Sequence, residues 1–240
     1  MPNPDPAGRP LATALARRLL SLTGVFPLGL FLLLHLAINA RALRAQTAFA
    51  IAVNAIHGLP AIVALEWLLV LAPLLLHATI GVWLVATRRA LADQSPYSPP
   101  LGILVRATGV AALVFLAMHL RELRFGAPGA RLGGAELATV LEADLSSLSH
   151  GVPWRGAAYL VGTACVTFHF AVGLWGFAVS TRLRDDERAR KWAGWGAAAL
   201  GLTIWVIFAD VVVLHATGAR ILGGPAQEPE QPGAPCPARE

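Results

Sequence analysis

Five stretches of this chain are apolar for longer than a globular core requires. They cover about 17–40, 60–88, 101–122, 155–181 and 193–217. Crossing roughly 30 Å of hydrocarbon takes about 20 helical residues. Lipid offers the backbone no hydrogen bonds, so each crossing stretch must be a helix that satisfies its own. The expected fold class is all-α integral membrane, with five transmembrane helices in one bundle and no separate soluble domain. The charge content agrees: 14% of the 240 residues are charged, where a soluble domain carries about 25%. The net charge of +5 resides in arginines, mostly between the apolar runs. That pattern reads as topology and lipid headgroup contact, and it excludes nucleic-acid binding as the purpose of the charge. Cys165 lies in an apolar run and Cys236 in the tail. Two cysteines so placed supply neither a disulfide framework nor an iron–sulfur cluster.

The arginines also assign direction. Arg9, Arg17 and Arg18 precede the first run, Arg88 and Arg89 follow the second, and Arg182, Arg184, Arg188, Arg190 and Lys191 join the fourth to the fifth. If every run spans, these share one side, which the positive-inside rule makes cytoplasmic. Arg41, Arg44, Arg121, Arg124, Arg131 and Arg220 fall opposite. Residues 1–16 are then a cytoplasmic arm, 17–218 the membrane domain and 219–240 a disordered outer tail. The host membrane is expected to be a bacterial cytoplasmic (inner) membrane. Arg17-Arg18 before an apolar run also resembles a signal peptide. The run Leu19 to Ile38 is too long for one, and Ala40-Arg41-Ala42 is a poor cleavage site. Segment 91–100 is an inner connection. Segment 125–152 is an outer one, with a short interfacial helix over Leu137–Leu148. Pro27 and Pro73 should bend their spans.

Four histidines lie within the apolar runs, in a duplicated frame. Thr23-Gly24-Val25 leads on to Phe31 and His35-Leu36, and Thr108-Gly109-Val110 leads on to Phe115 and His119-Leu120. His77, with Gly81 and Trp83 after it, is echoed by His169 with Gly173 and Trp175. The first and second runs thus repeat as the third and fourth. Both units enter from the same side, so they form parallel repeats about an axis along the membrane normal. The result is a four-helix core plus a fifth helix, and such bundles hold cofactors between facing side chains.

Depth sorts the histidines. At 1.5 Å per residue, His35 lies roughly 9 Å inside Arg41 and His119 about 3 Å inside Arg121. His77 and His169 lie about 25 Å in from Pro60 and Pro153. An outer pair, His35 with His119, and an inner pair, His77 with His169, follow. Ionisable rings at such depth are costly and need a partner. Two neutral imidazoles fill both axial positions of a haem iron, giving a centre that moves electrons and has no open position. Two stacked haem b groups are expected, one per pair. Gly81 and Gly173, one turn after the inner histidines, would let a macrocycle approach. Gly24 is eleven residues before His35 and shares its face to within about 20°. Gly109, ten before His119, does not share its face as well and receives no role. Arg17, Arg18, Arg88, Arg106 and Arg182 are inner candidates to hold the propionates, and Arg41, Arg121 and Arg124 are outer ones.

Other polar residues carry weaker signals. Glu66 suits either a proton relay to a quinone, with His57 or Asn54, or an ion pair with an outer arginine. Asp210 reads as structural. His57, His150 and His215 read as solvated residues near the outer surface. The tryptophans, mostly near helix ends, read as interfacial anchors.

These segments resemble the five-helix, di-haem cytochrome b anchor of succinate:quinone oxidoreductases, most closely the Bacillus type. The resemblance rests on Arg17-Arg18 through Gly29 and His35, on Leu59-Pro60 with Glu66, on Pro73-Leu-Leu-Leu-His77-Ala, on Arg106-Ala-Thr-Gly109 through His119, and on Thr167-Phe-His169-Phe-Ala-Val-Gly173-Leu-Trp175. It covers the first four spans. It implies that His35, His77, His119 and His169 ligate haem iron. It also implies that a flavoprotein and an iron–sulfur subunit dock on the cytoplasmic face, and that quinone, typically menaquinone, is reduced near the outer haem. Two rivals differ in kind. One is a di-haem cytochrome b of another quinone-linked dehydrogenase or hydrogenase. The other is a haem-free transporter or proton channel lined by histidines.

Overall fold

A computed structural model describes residues 8–87, 97–126, 132–181 and 186–223. The Arg88, Arg89, Arg131, Arg182 and Arg184 assignments, Cys236 and most of the tail lie outside the described residues.

Five helices are long and apolar enough to cross a membrane: Ala12–Leu43, Ile62–Ala86, Pro99–Leu123, Trp154–Thr181 and Glu187–Thr217. The helix that opens the first span starts at Gly8, earlier than the apolar run alone suggests. The fifth starts at Glu187 rather than near 193, because the Asp186 side chain caps it by accepting from the Ala189 N–H at 2.9 Å. An Asp in that position satisfies a donor that would otherwise be orphaned. Gly218 ends the fifth helix with φ +71°, a left-handed conformation that glycine adopts without strain.

The first four spans form a ring. The first packs on the second, the second on the third, the third on the fourth and the fourth on the first. The fifth lies outside this ring, against the fourth and the first. Diagonal neighbours are therefore the first with the third and the second with the fourth, which are the repeat-related spans. The ring does not close on a packed core. Only 6% of the most apolar window of the first span is buried, against 44% for the fifth. The fifth span packs like a soluble core helix; the others surround an internal space.

Two short helices cap the end expected to be outer. Gly134–Leu145 is the interfacial helix, displaced three residues toward the N-terminus from the Leu137–Leu148 expectation. Gln46–His57 is a second such helix, in a stretch to which sequence reasoning assigned no structure. Its buried Phe49 and Val53, one turn apart, join Ala42, Ala138 and Leu141 in an apolar cluster that roofs the bundle. The two helices cross closely: a Cβ on Gly134 would stand against the Ala50 backbone.

The repeats differ in one respect. The first span carries a π-helical segment at Gly24–Leu28 and the second at Trp67–Leu71, whereas the third and fourth are uninterrupted α-helices. A π-bulge accommodates one extra residue in an α-helix. Pro27 lies inside the first of these segments; its ring cannot donate and crowds the preceding turn.

Candidate functional site

A cavity of about 1600 Å³ runs through the four-helix ring. Pockets for one small molecule hold about 300–1,000 Å³, so this one has room for more than one group. Its lining includes His35, His77, His119 and His169, together with Gly24, Gly81, Gly109 and Gly173.

The histidines meet across the two diagonals. The His35 and His119 rings stand 5.9 Å apart, centroid to centroid, at 89°. The His77 and His169 rings stand 6.1 Å apart at 88°. Imidazoles that share one metal ion, at roughly 2 Å per metal–nitrogen bond, have centroids on the order of 6 Å apart.

At the inner pair each ring is pinned from behind. His77 donates its Nδ1 proton to the Leu20 carbonyl at 3.0 Å, and Thr23 Oγ1 is 3.2 Å from the same nitrogen. His169 donates its Nδ1 proton to the Val105 carbonyl at 3.1 Å. A carbonyl can only accept, so Nδ1 carries the proton and Nε2 keeps its lone pair. This arrangement is how a metal-binding histidine is held in one tautomer.

The glycines explain how an imidazole reaches a carbonyl inside a helix. Gly24 stands four residues after Leu20, and Gly109 four after Val105. A Cβ on Gly24 would lie 2.8 Å from His77 Cε1, and one on Gly109 2.8 Å from His169 Cε1. Both glycines clear the path to the carbonyl one turn earlier. The role missing for Gly109 is thus the same as that of Gly24. Sequence spacing hid this, because Gly24 is eleven residues before its outer histidine and Gly109 ten. The π-segment at Gly24–Leu28 absorbs the difference. The second π-segment likewise lies between Pro60 and His77, seventeen residues apart where Pro153 and His169 are sixteen. Gly173 has nothing within 4 Å of an added Cβ and Gly81 only Leu20 at 3.8 Å; both border open cavity.

The outer pair is held differently. Phe31 stacks on His35 at 5.5 Å and 30°, and Phe115 on His119 at 5.8 Å and 32°. Each phenylalanine is one turn before its histidine. Phe208 of the fifth span adds a contact to His35 at 6.1 Å, and Tyr159 one to His119 at 5.7 Å. His119 Nδ1 has no hydrogen-bond partner among the described residues.

Polar groups gather at both ends of the cavity. Arg17, Arg18 and Arg106 line the inner end. Tyr97 closes it, its hydroxyl donating to the Val172 carbonyl at 3.4 Å; burial pushes its pKa up to about 12. At the outer end Glu66 is paired with Arg124, Oε2 to Nη2 at 3.2 Å, and His57 lines the wall. Asn54 is occupied elsewhere: its Oδ1 accepts the Gly134 N–H at 2.8 Å and ties the two short helices together. Arg41 and Arg121 are exposed and lie off the cavity, so of the outer arginines only Arg124 borders it.

His215 departs from expectation. It is not solvated but buried, 5% exposed, with its ring 6.1 Å from Phe49. It stands on the face of the fifth span that packs inward, beneath a roof formed by a helix the sequence did not reveal. Asp210 is structural: fully buried, its Oδ1 accepts the Ile221 and Leu222 N–H groups at 2.5 and 3.4 Å. The first residues of the tail therefore fold back onto the fifth span. His150 is exposed.

The architecture and its lining define an all-α, multi-pass membrane protein built around a histidine-lined cavity. Comparison with known proteins narrows the class. No protein-family profile matches the chain, and no solved structure matches it. Over 177 residues it is 36% identical to the succinate dehydrogenase cytochrome b558 subunit of Bacillus subtilis (strain 168), covering 73% of this chain and 83% of that protein. The chain belongs to the family of Bacillus-type succinate dehydrogenase cytochrome b subunits, the membrane anchors of that enzyme.

Proposed function

We propose that this subunit carries two haem b groups and passes electrons from an iron–sulfur subunit to membrane quinone. His77 and His169 hold the inner iron, and His35 and His119 the outer one. The observation that carries the reading is the pair of facing, near-perpendicular imidazoles on each diagonal of one cavity, at 6.1 and 5.9 Å. The residues fit the group. The inner nitrogens that would bind iron are selected by Nδ1 hydrogen bonds, and glycines border the space a flat ring needs. The name cytochrome b558, borne by the Bacillus relative, supports haem b. Bound haem supplies reversible one-electron chemistry. The chain's own part would be to supply each iron with two neutral imidazole nitrogens, keep water out with an apolar lining, and meet the inner propionates with Arg17, Arg18 and Arg106.

Arginine distribution supports a cytoplasmic N-terminus and an outer C-terminus. In that orientation a flavoprotein and an iron–sulfur subunit bind the inner face, and quinone, as menaquinone, reacts near the outer haem. Glu66, with Arg124 and His57, is the proposed quinone-side carboxylate. This sequence carries neither a flavin fingerprint nor cluster cysteines, so the subunit is expected not to oxidise succinate alone.

Pyridine haemochrome analysis of the purified complex should give two haem b per chain, with two sharp low-spin components on stepwise reduction. A single component, or none, defeats the proposal. Glu66→Gln should leave both components intact and lower succinate–quinone turnover about 100-fold, a common loss for a positioned acid or base. Unchanged turnover would reduce Glu66 to an ion-pair partner of Arg124.

A further inference from the structure

His215 is a polar group on the cavity wall that neither the haem ligands nor the quinone side uses. We propose that its imidazole N–H holds a propionate carboxylate of the outer haem, the one between His35 and His119. The inference rests on the two-haem reading above. His215 is 5% exposed and lines the cavity, yet neither Nδ1 nor Nε2 has a hydrogen-bond partner among the described residues. Leaving a buried polar group unpaired is costly, so the ring is built to meet an acceptor.

Its level identifies that acceptor. Phe208, on the same span, packs on the His35 ring at 6.1 Å. His215 follows it by seven residues, which returns to within about 20° of the same face and rises roughly 10 Å toward the outer end. A porphyrin held at the level of His35 would have its carboxylate arms within reach of that region. Other donors there are engaged or absent. Asn39 donates its amide to the His35 carbonyl at 2.8 Å. Arg124 is bound to Glu66. Arg41 and Arg121 do not border the cavity, nor does Arg220, whose buried Nε also has no partner among the described residues.

Position also separates this acceptor from a quinone carbonyl. Glu66 and Arg124 lie on the second and third spans. His215 lies on the fifth, which packs against the first and fourth on the opposite side of the ring. Its neighbour Leu214 joins the apolar roof of Ala42, Phe49 and Leu141. A bound prosthetic group suits that sealed wall better than a molecule that must exchange with lipid.

The test is potentiometric titration of the purified complex carrying His215→Leu or His215→Gln. An N–H facing a carboxylate offsets negative charge near the iron. Its loss favours the oxidised, more positive iron. His215→Leu should therefore lower the midpoint potential of the outer component alone, leave the inner one in place and keep two haems per chain. His215→Gln retains an N–H donor and should restore the wild-type value. If His215→Leu does not accumulate, His215→Phe, closer in shape, is expected to show the same shift. Wild-type potentials in the apolar variants, with or without slower quinone reduction, would overturn the inference and leave the two-haem reading standing. A wild-type complex without two b components would overturn both.

Discussion

The inner and outer histidine pairs share one geometry and are held by different forces. Their ring separations differ by no more than a few tenths of an ångström, 6.1 against 5.9 Å, and both pairs are nearly perpendicular. The inner rings are pinned through hydrogen bonds to the Leu20 and Val105 carbonyls, reached across Gly24 and Gly109. The outer rings are braced by stacked Phe31 and Phe115, with Phe208 and Tyr159 behind them. A hydrogen bond fixes both the tautomer and the direction of a ring; stacking fixes the plane and leaves the tautomer to whatever else the ring meets. Among the described residues the inner rings are thus held from the first and third spans, whereas the outer pair also draws on Phe208 of the fifth.

The largest test asks whether the diagonals are separate sites. His77→Ala and His169→Ala should abolish the same spectral component, and His35→Ala and His119→Ala the other. If His35→Ala and His77→Ala remove one component in common, the diagonal assignment fails. The next test attacks the inner anchor. Gly24→Leu or Gly109→Leu drives a side chain into an imidazole already 2.8 Å from the nearest added atom. Forced overpacking costs about 1–3 kcal/mol, enough to deplete the inner component several-fold in haem content while the outer one persists. Equal depletion of both would mean that the glycines serve the bundle as a whole. The smallest effect is expected at the outer brace. Phe115→Leu keeps an apolar filler and forfeits the aromatic pairing, worth about 0.5–1.5 kcal/mol. Broadened low-temperature bands of the outer component, with the inner one unaltered, would show the stacking contribution. A matching change at the inner component would erase the distinction between the two sites.

How far the site was legible depends on how locally each feature is encoded. The spans were legible because apolar length is a one-dimensional property. The histidine pairing was legible because depth along a helix is nearly proportional to residue number. Gly109 was not, because its equivalence with Gly24 passes through a π-segment that shifts the count by one residue. The short helix Gln46–His57 buries Phe49 and Val53 against a roof that exists only once Gly134–Leu145 lies beside it. Without that roof, His215 two residues from the end of the fifth span reads as wet, and in the folded chain it is buried.

The sequence by itself determined that this chain crosses the membrane five times, that two span pairs are copies, and which imidazoles share a level. Those are consequences of the hydrocarbon thickness and of helical rise, which act on each segment alone. Only the tertiary structure decided which carbonyl each inner ring grips, which wall of the cavity the fifth span builds, and which outer polar groups are buried without a partner among the described residues. Those outcomes depend on contacts between segments far apart in the chain, where a single π-bulge or an unforeseen cap changes which side chains face one another.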